Sequence, residues 1–297
     1  MRTVILITGL PVLVWLLLAL LLWLAQSRLA FPGAYGGLPA DPDSVRVEDA
    51  EAREHGIEVL ALRTHDGRRV RAWLHPAPEP SAPQDRRVVI YVGGNNESLR
   101  ASVPLAIAYQ RRGWSMLAVS PAGFPGTDGT PGEAAFRDDL RAAWAWLGEQ
   151  DVAPHRTVLH GHSMGGGAIA TLLPHTTPAG VVLESTFTTL PEVGAHHYPW
   201  VPVRTLMRHT LPVLGPASVY TGPVLVAHSR ADGVIPYSHA EALARAIPQA
   251  TLILVDDLTH NHSVFLHSPE GRDAWHTFLD AIAARPPPPR PAPSPGE

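Results

Sequence analysis

The stretch Arg156-Thr-Val-Leu-His-Gly-His-Ser-Met-Gly-Gly-Gly-Ala-Ile-Ala170 decides how the rest of the chain reads. A short β-branched and apolar run, Thr157 to Leu159, leads into Gly161-His-Ser163-Met-Gly165, and small residues then open a helical pattern from Gly166 to Leu173. Strand, sharp turn and helix follow in that order. A serine at such a turn has its hydroxyl pushed out above the sheet, and glycines two residues before and after it let the strand and helix backbones pass closely. Ser163 is therefore the candidate nucleophile. Three fixed positions in five are a weak signal alone, equally compatible with a plain glycine-rich loop. A serine hydroxyl also needs a base and an orienting acid, which must come from farther along the chain.

Outward from that turn, strands and helices alternate. Before it, Arg87 to Val92 is a continuous apolar run, as for a strand buried on both faces, followed by Gly93-Gly-Asn-Asn-Glu-Ser98. Pro104 to Arg111 reads as a helix, Ser115 to Val119 as a strand and Gly132 to Gln150 as a long amphipathic helix. After the turn, strands are expected at Gly180 to Leu183, Pro223 to Ala227 and Thr251 to Val255, with helices at His239 to Ile247 and Gly271 to Ala283. Gly56 to Thr64 and Arg69 to His75, separated by His65-Asp-Gly67, predict an antiparallel hairpin at the sheet edge. The rhythm is that of an α/β domain whose mostly parallel sheet has helices on both faces. Thr186 to Ser218 breaks it, with prolines 191, 199, 202, 212 and 216 and several aromatics, and is expected to form a cap of short helices.

The two ends differ from this body. Thr3 to Gln26 runs without a charge, long enough at 1.5 Å per residue to cross roughly 30 Å of hydrocarbon. A cleaved signal peptide is the rival reading, but the apolar core is long and no clear A-x-A site follows. The expected organisation is a transmembrane anchor at 1–28, a linker at 29–54 and a domain at 55–284 with its cap at 186–218. A disordered proline-rich tail is expected at 285–297. Arg2 on the short tail mildly places that tail inside, so that the domain faces outward from the cytoplasm.

The chain has 297 residues and a net charge of -4; all 23 basic residues are arginine, and no basic stripe points to nucleic acid. Cysteine is absent, which excludes disulfides, thiolate metal sites and a cysteine nucleophile. A small-molecule or lipid substrate is the remaining expectation. The charge reading leaves the oligomeric state open.

In open α/β sheets functional groups gather beyond the carboxyl ends of strands. Asp232 and His260 each follow a strand by five residues, after Ala227 and Val255. His262 stands two residues from His260 as a rival base, and Asp256, Asp257 or Glu184 are rival orienting acids. The oxyanion hole needs two backbone N–H groups. Met164, directly after the nucleophile, supplies one, and Asn95, beyond Gly93-Gly94, the other. A metal site on His196, His197, His260 or His262 finds no carboxylate-histidine spacing to support it. A membrane-anchored binding protein without activity is a further alternative, against which three groups on three loops speak.

Several stretches carry a family resemblance: Gly123-Phe-Pro-Gly-Thr-Asp-Gly-Thr-Pro131, Gly161-His-Ser-Met-Gly-Gly166, Glu184-Ser-Thr-Phe-Thr-Thr-Leu190, Asp232-Gly-Val-Ile-Pro236 and Thr259-His-Asn261. From about Leu29 to Leu279 the chain resembles the membrane-anchored α/β hydrolases related to lysophospholipases, monoacylglycerol lipases and serine aminopeptidases. The resemblance implies the α/β-hydrolase fold, no cofactor, and a triad in the order Ser163, Asp232, His260. It selects His260 because the family's base precedes an asparagine. It implies hydrolysis of ester-type bonds through an acyl-enzyme, with peptide bonds as the alternative. The family's oxyanion loop reads His-Gly-Asn, and Gly93 stands here in place of the histidine. Apolar residues of the cap, among them Phe187, Leu190 and Trp200, suit an acyl chain, and Arg204 with Arg208 suits an anionic head group.

Overall fold

The structure, a computed structural model, describes residues 2–38, 40–78 and 85–286. Eight strands form one sheet in the order β1-β2-β4-β3-β5-β6-β7-β8. β1 (Glu58–Arg63) and β2 (Arg69–His75) are the expected antiparallel edge hairpin, and β2 also runs antiparallel to β4 (Ser115–Val119). β3 (Val88–Val92), β4, β5 (Thr157–His162), β6 (Gly180–Glu184), β7 (Val224–Ser229) and β8 (Ala250–Val255) are parallel.

Alternation along each strand sorts side chains between two apolar layers. Val88, Ile90 and Val92 of β3 enter one layer, with Phe136 and Leu140 of α4 (Glu133–Glu149), Ile169 of α5 (Met164–Ala170) and Leu243 of α9 (Ser238–Ala246). Val89 and Tyr91 enter the other, with Tyr109 of α3 (Val103–Gln110) and Trp275 and Leu279 of α11 (Pro269–Ala283). Because both faces are covered, every residue of β3, β4, β5, β6 and β7 is buried. The chain lays β4 on one side of β3 and β5 on the other. The loops after β3 and β5 therefore meet at the crevice where strand order reverses, the place such sheets present to ligands.

The strand of the elbow runs to His162, beyond the Leu159 expected, because Gly161 and His162 still pair with Leu183 and Glu184 of β6. Between β6 and β7 lie α6 (Leu190–His197), α7 (Val203–Leu206) and α8 (Leu214–Val219), the short helices expected there. α10 (Val264–His267) precedes α11.

The amino end departs most from expectation. α1 covers Arg2–Ala30, and its stretch Leu10–Ala30 has a mean hydropathy of 2.1, long and apolar enough to cross a membrane. The segment expected as linker contains α2 (Pro42–Glu54), capped by Asp41, whose carboxylate accepts from Ser44 N at 2.8 Å. Its tie to the sheet is ionic: Asp49 Oδ1 accepts from Arg71 Nη2 at 2.6 Å and Trp73 Nε1 at 2.8 Å, while Glu48 pairs with Arg71 at 3.1 Å. The Arg71 guanidinium lies 5.3 Å from the Trp73 ring. No apolar stripe announces such a helix. Of the expected tail, residues 287–297 lie outside the described residues.

Arg71 is only 4% exposed, so removing its partner leaves a buried charge short of compensation. Asp49→Ala should cost about 3 kcal/mol, the low end for a broken buried pair because Glu48 remains. Asp43→Ala, which breaks an exposed pair with Arg46, should cost under about 1 kcal/mol. Urea unfolding in detergent compares the two, and equal midpoints would refute the assignment.

Candidate functional site

Ser163 sits between β5 and α5 with φ 53 and ψ -120, a backbone shape that side-chain-bearing residues rarely adopt. The sequence permits it through its neighbours. A Cβ on Gly161 would collide with the backbone of Gly165, and a Cβ on Gly165 would collide with the Val92 carbonyl of β3. Ser163 N donates to Glu184 O at 2.9 Å, and Thr186 Oγ1 donates to Ser163 O at 2.7 Å. Both main-chain groups of the turn are thereby pinned to β6 and the residues just after it.

Asp232 and His260, each on the loop after its strand, converge on this turn. His260 Nε2 lies 2.9 Å from Ser163 Oγ, and His260 Nδ1 lies 2.7 Å from Asp232 Oδ2. The other oxygen of Asp232 accepts from Val234 N at 2.8 Å and Ile235 N at 2.9 Å. His228 Nε2 stands 3.1 Å from Asp232 Oδ2. Burial pushes the Asp232 carboxyl up, but the hydrogen bonds from His228 and His260 outweigh it and hold the group well below the usual carboxylate range. A carboxylate so fixed keeps the proton of His260 on Nδ1 and leaves Nε2 as the acceptor facing the serine.

The rivals are placed elsewhere. His262 is exposed, with Nδ1 2.7 Å from Thr259 Oγ1. Asp256 pairs with Arg230 on the surface, and Asp257 is exposed. Glu184 is buried beside the site, yet its carboxylate accepts from Ser263 Oγ at 2.8 Å and Val264 N at 2.7 Å and meets His160 Nε2 at 3.0 Å. It anchors the far end of the loop that carries His260. His197 reaches the Val234 carbonyl at 2.7 Å, and His196 packs edge-on against it. Arg204, expected to face a head group, is paired with Glu192 through two 2.7 Å bonds, and Arg208 stacks on Trp23 of α1.

Of the two expected oxyanion residues, Met164 opens α5, where a first-turn N–H has no partner within the helix. Asn95 lies in the loop beside it, with Gly94 packed against Ser163 and His162. Its side chain donates to the Ala30 carbonyl and its own carbonyl accepts from Gly33 N at 3.1 Å, so this loop is fastened to the end of α1.

One pair went unseen in the sequence. His162 Nδ1 bonds Glu97 Oε1, while His162 Nε2 faces the His260 carbonyl at 3.2 Å. Both ring nitrogens thus meet acceptors, which only the doubly protonated ring can serve. Burial pushes the ring's pKa down, but the Glu97 carboxylate beside it raises it to about 9. Glu97, also bonded by Tyr91 OH at 3.0 Å, is held to about 2 against its own burial. Residues 97 and 162 are far apart in the chain, and nothing local to either signals the other.

Ser163 and His260 open into a cavity of about 1070 Å³, lined also by Met164, by Phe187 and Leu190 beyond β6, and by α1.

Comparison with known proteins bears on the family and the fold. The family model described as serine aminopeptidase, S33, matches residues 83–217. The protein Rv2307c of Mycobacterium tuberculosis is 32% identical over 88% of this chain and 90% of its own length. Two solved structures share the fold. The esterase Pf2001 of Pyrococcus furiosus has a TM-score of 0.61 at 17% identity over 78% of this chain and 95% of that one. Est1E of Butyrivibrio proteoclasticus, solved with ferulic acid bound, has a TM-score of 0.63 at 17% identity over 76% and 100%. The chain belongs to the α/β hydrolases of the serine aminopeptidase-like family.

Proposed function

We propose that this protein is a membrane-anchored serine hydrolase that cleaves acyl esters through Ser163, His260 and Asp232. The observation that carries the reading is the relay of 2.9 Å and 2.7 Å contacts joining residues from three separate loops. His260 takes the Ser163 proton as the hydroxyl oxygen attacks the ester carbonyl. The N–H groups of Met164 and Asn95 receive the developing oxyanion, each worth about 2.7 to 4 kcal/mol of barrier. The proton then passes from His260 to the departing alcohol, and a water activated by the same ring hydrolyses the acyl-enzyme. His162, as a cation, holds the carbonyl of His260 and so fixes where the base stands. The segment 186–218 acts as a cap over the cavity.

Peptide cleavage is the second reading, favoured by the description of the matching family. An aminopeptidase must hold its substrate's ammonium group with an anion. Glu97 and Glu184, the carboxylates lining the cavity, are already engaged by His162 and by His160, Ser263 and Val264. That supports esters.

Ser163→Ala and His260→Ala should each lower turnover of p-nitrophenyl butyrate below about 1% of wild type, since triad members account for factors of about 10⁴ or more. His262→Ala should retain most activity, and aminoacyl anilides should be cut more slowly than the ester by wild type. The reverse ranking of the histidines would move the base to His262, and faster anilide cleavage would favour the peptidase.

The pH profile tests His162. Because its pKa is raised to about 9 in the folded protein, the cation is present at neutral pH and is lost as pH rises through about 9. Wild-type kcat/KM should fall across that upper limit. His162→Gln should start about tenfold lower, the equivalent of one hydrogen bond of about 1.4 kcal/mol, and lack that limb. An unchanged alkaline limb in the variant would remove His162 from the account.

Anchoring and an outward-facing domain are tested on intact spheroplasts. Added protease should digest the domain, whereas full protection would reverse the orientation.

A further inference from the structure

The cavity has an unusual wall. Ala19, Leu22, Trp23, Gln26, Leu29 and Ala30 of α1 line it together with Ser163. From Ala19 to Ala30 this wall runs about 17 Å along the helix. The helix is docked rather than merely nearby. Trp15 Nε1 donates to the Trp200 carbonyl at 3.1 Å, Arg208 N donates to Gln26 Oε1 at 2.7 Å, and Ser27 Oγ meets His209 Nε2 at 2.8 Å. Residues 15, 19, 23, 26 and 30 recur at helical spacing, so one stripe of α1 faces the domain. The opposite stripe leaves Leu20, Leu21 and Leu24 between half and two-thirds exposed.

Those exposed leucines need hydrocarbon around them, and α1 at 29 residues is about 43 Å long against a hydrocarbon core of about 30 Å. One bilayer-spanning element thus shows its outer side to lipid tails and its inner side to the catalytic cavity. Beside it, Tyr198 and Trp200 are 44% and 49% exposed, and the Trp200 carbonyl accepts from Trp15 of α1. We propose that the site takes the acyl chain of an ester resident in the bilayer, drawn in sideways between α1 and the Tyr198–Met207 segment, with α1 as the wall against which the chain lies. This rests on the hydrolase reading above and specifies its substrate as a membrane lipid.

Variants on α1 test it, using full-length protein in phospholipid vesicles. Ala19→Trp fills the wall and should lower the ratio of kcat/KM for p-nitrophenyl dodecanoate over butyrate at least tenfold, at about fourfold per buried CH₂ forfeited. Leu22→Ala opens the wall and should shift the preferred chain length upward, while Leu20→Trp on the outer stripe should leave the ratio within twofold. Fluorophosphonate labelling of Ser163 reports folding, and if Ala19→Trp fails to label, Leu22→Ala decides. Unchanged chain-length profiles in the folded variants would overturn the wall. A fluorogenic diacyl ester that does not exchange between vesicles tests the route. It should be cleaved at least tenfold faster in the enzyme's own vesicles than in separate ones, and equal rates would overturn sideways entry. Wild type inactive toward butyrate as well would sink the hydrolase reading instead. The wall is then read by binding of a fluorophore-labelled dodecanoic acid, with the same ranking of variants expected.

Discussion

Everything at the site hangs on the backbone of Ser163 staying in its left-handed shape, which isolated chains avoid at a cost of order 1 to 3 kcal/mol. The fold over-determines that shape. β5 is locked between β3 and β6, α5 must start at once to cover the sheet, and glycines at 161 and 165 are the only residues that let the two backbones cross. Hydrogen bonds to Glu184 O and from Thr186 Oγ1 hold the turn's own peptide groups. The strain is local, and the support for it is spread through the centre of the sheet.

Around that turn, charge does what apolar packing cannot. Glu97 after β3, His162 at the end of β5 and the carbonyl of His260 after β8 are joined in one chain of contacts. Glu184, at the end of β6, fixes Ser263 and Val264 on the far side of the same loop. The loop bearing His260 is thus held at both ends by carboxylates, the buried Glu184 and the half-buried Glu97, the latter acting through a buried histidine cation. Buried charges are costly when alone, and here each has partners that satisfy it.

How much of this could be read beforehand follows from the range of each interaction. The sheet, the elbow and the three loops carrying Ser163, Asp232 and His260 were legible because hydrophobic periodicity and turn residues act within a few positions. α2 was missed, since its hold on the domain is the pairing of Glu48 and Asp49 with Arg71 rather than an apolar stripe. The Glu97–His162 pair was missed for a related reason: either residue alone is an ordinary charged side chain, and only the adjacency of β3 and β5 brings them together. Arg204 looked free in the sequence and is engaged by Glu192 across the turn between α6 and α7.

The fastening of Asn95 to the end of α1 has a practical side. Single-pass proteins are commonly trimmed of their hydrophobic helix to give a soluble fragment, on the assumption that anchor and body are separable parts. In this chain a cut after Ala30 would strip the Asn95 amide of its acceptor, expose the fully buried Phe31 that packs on Phe136, and leave Arg208 N without Gln26. The loop that carries the expected oxyanion donor would keep the bond from Gly33 N to the Asn95 carbonyl but lose its tie to the helix. The smallest piece able to keep this architecture therefore begins within α1.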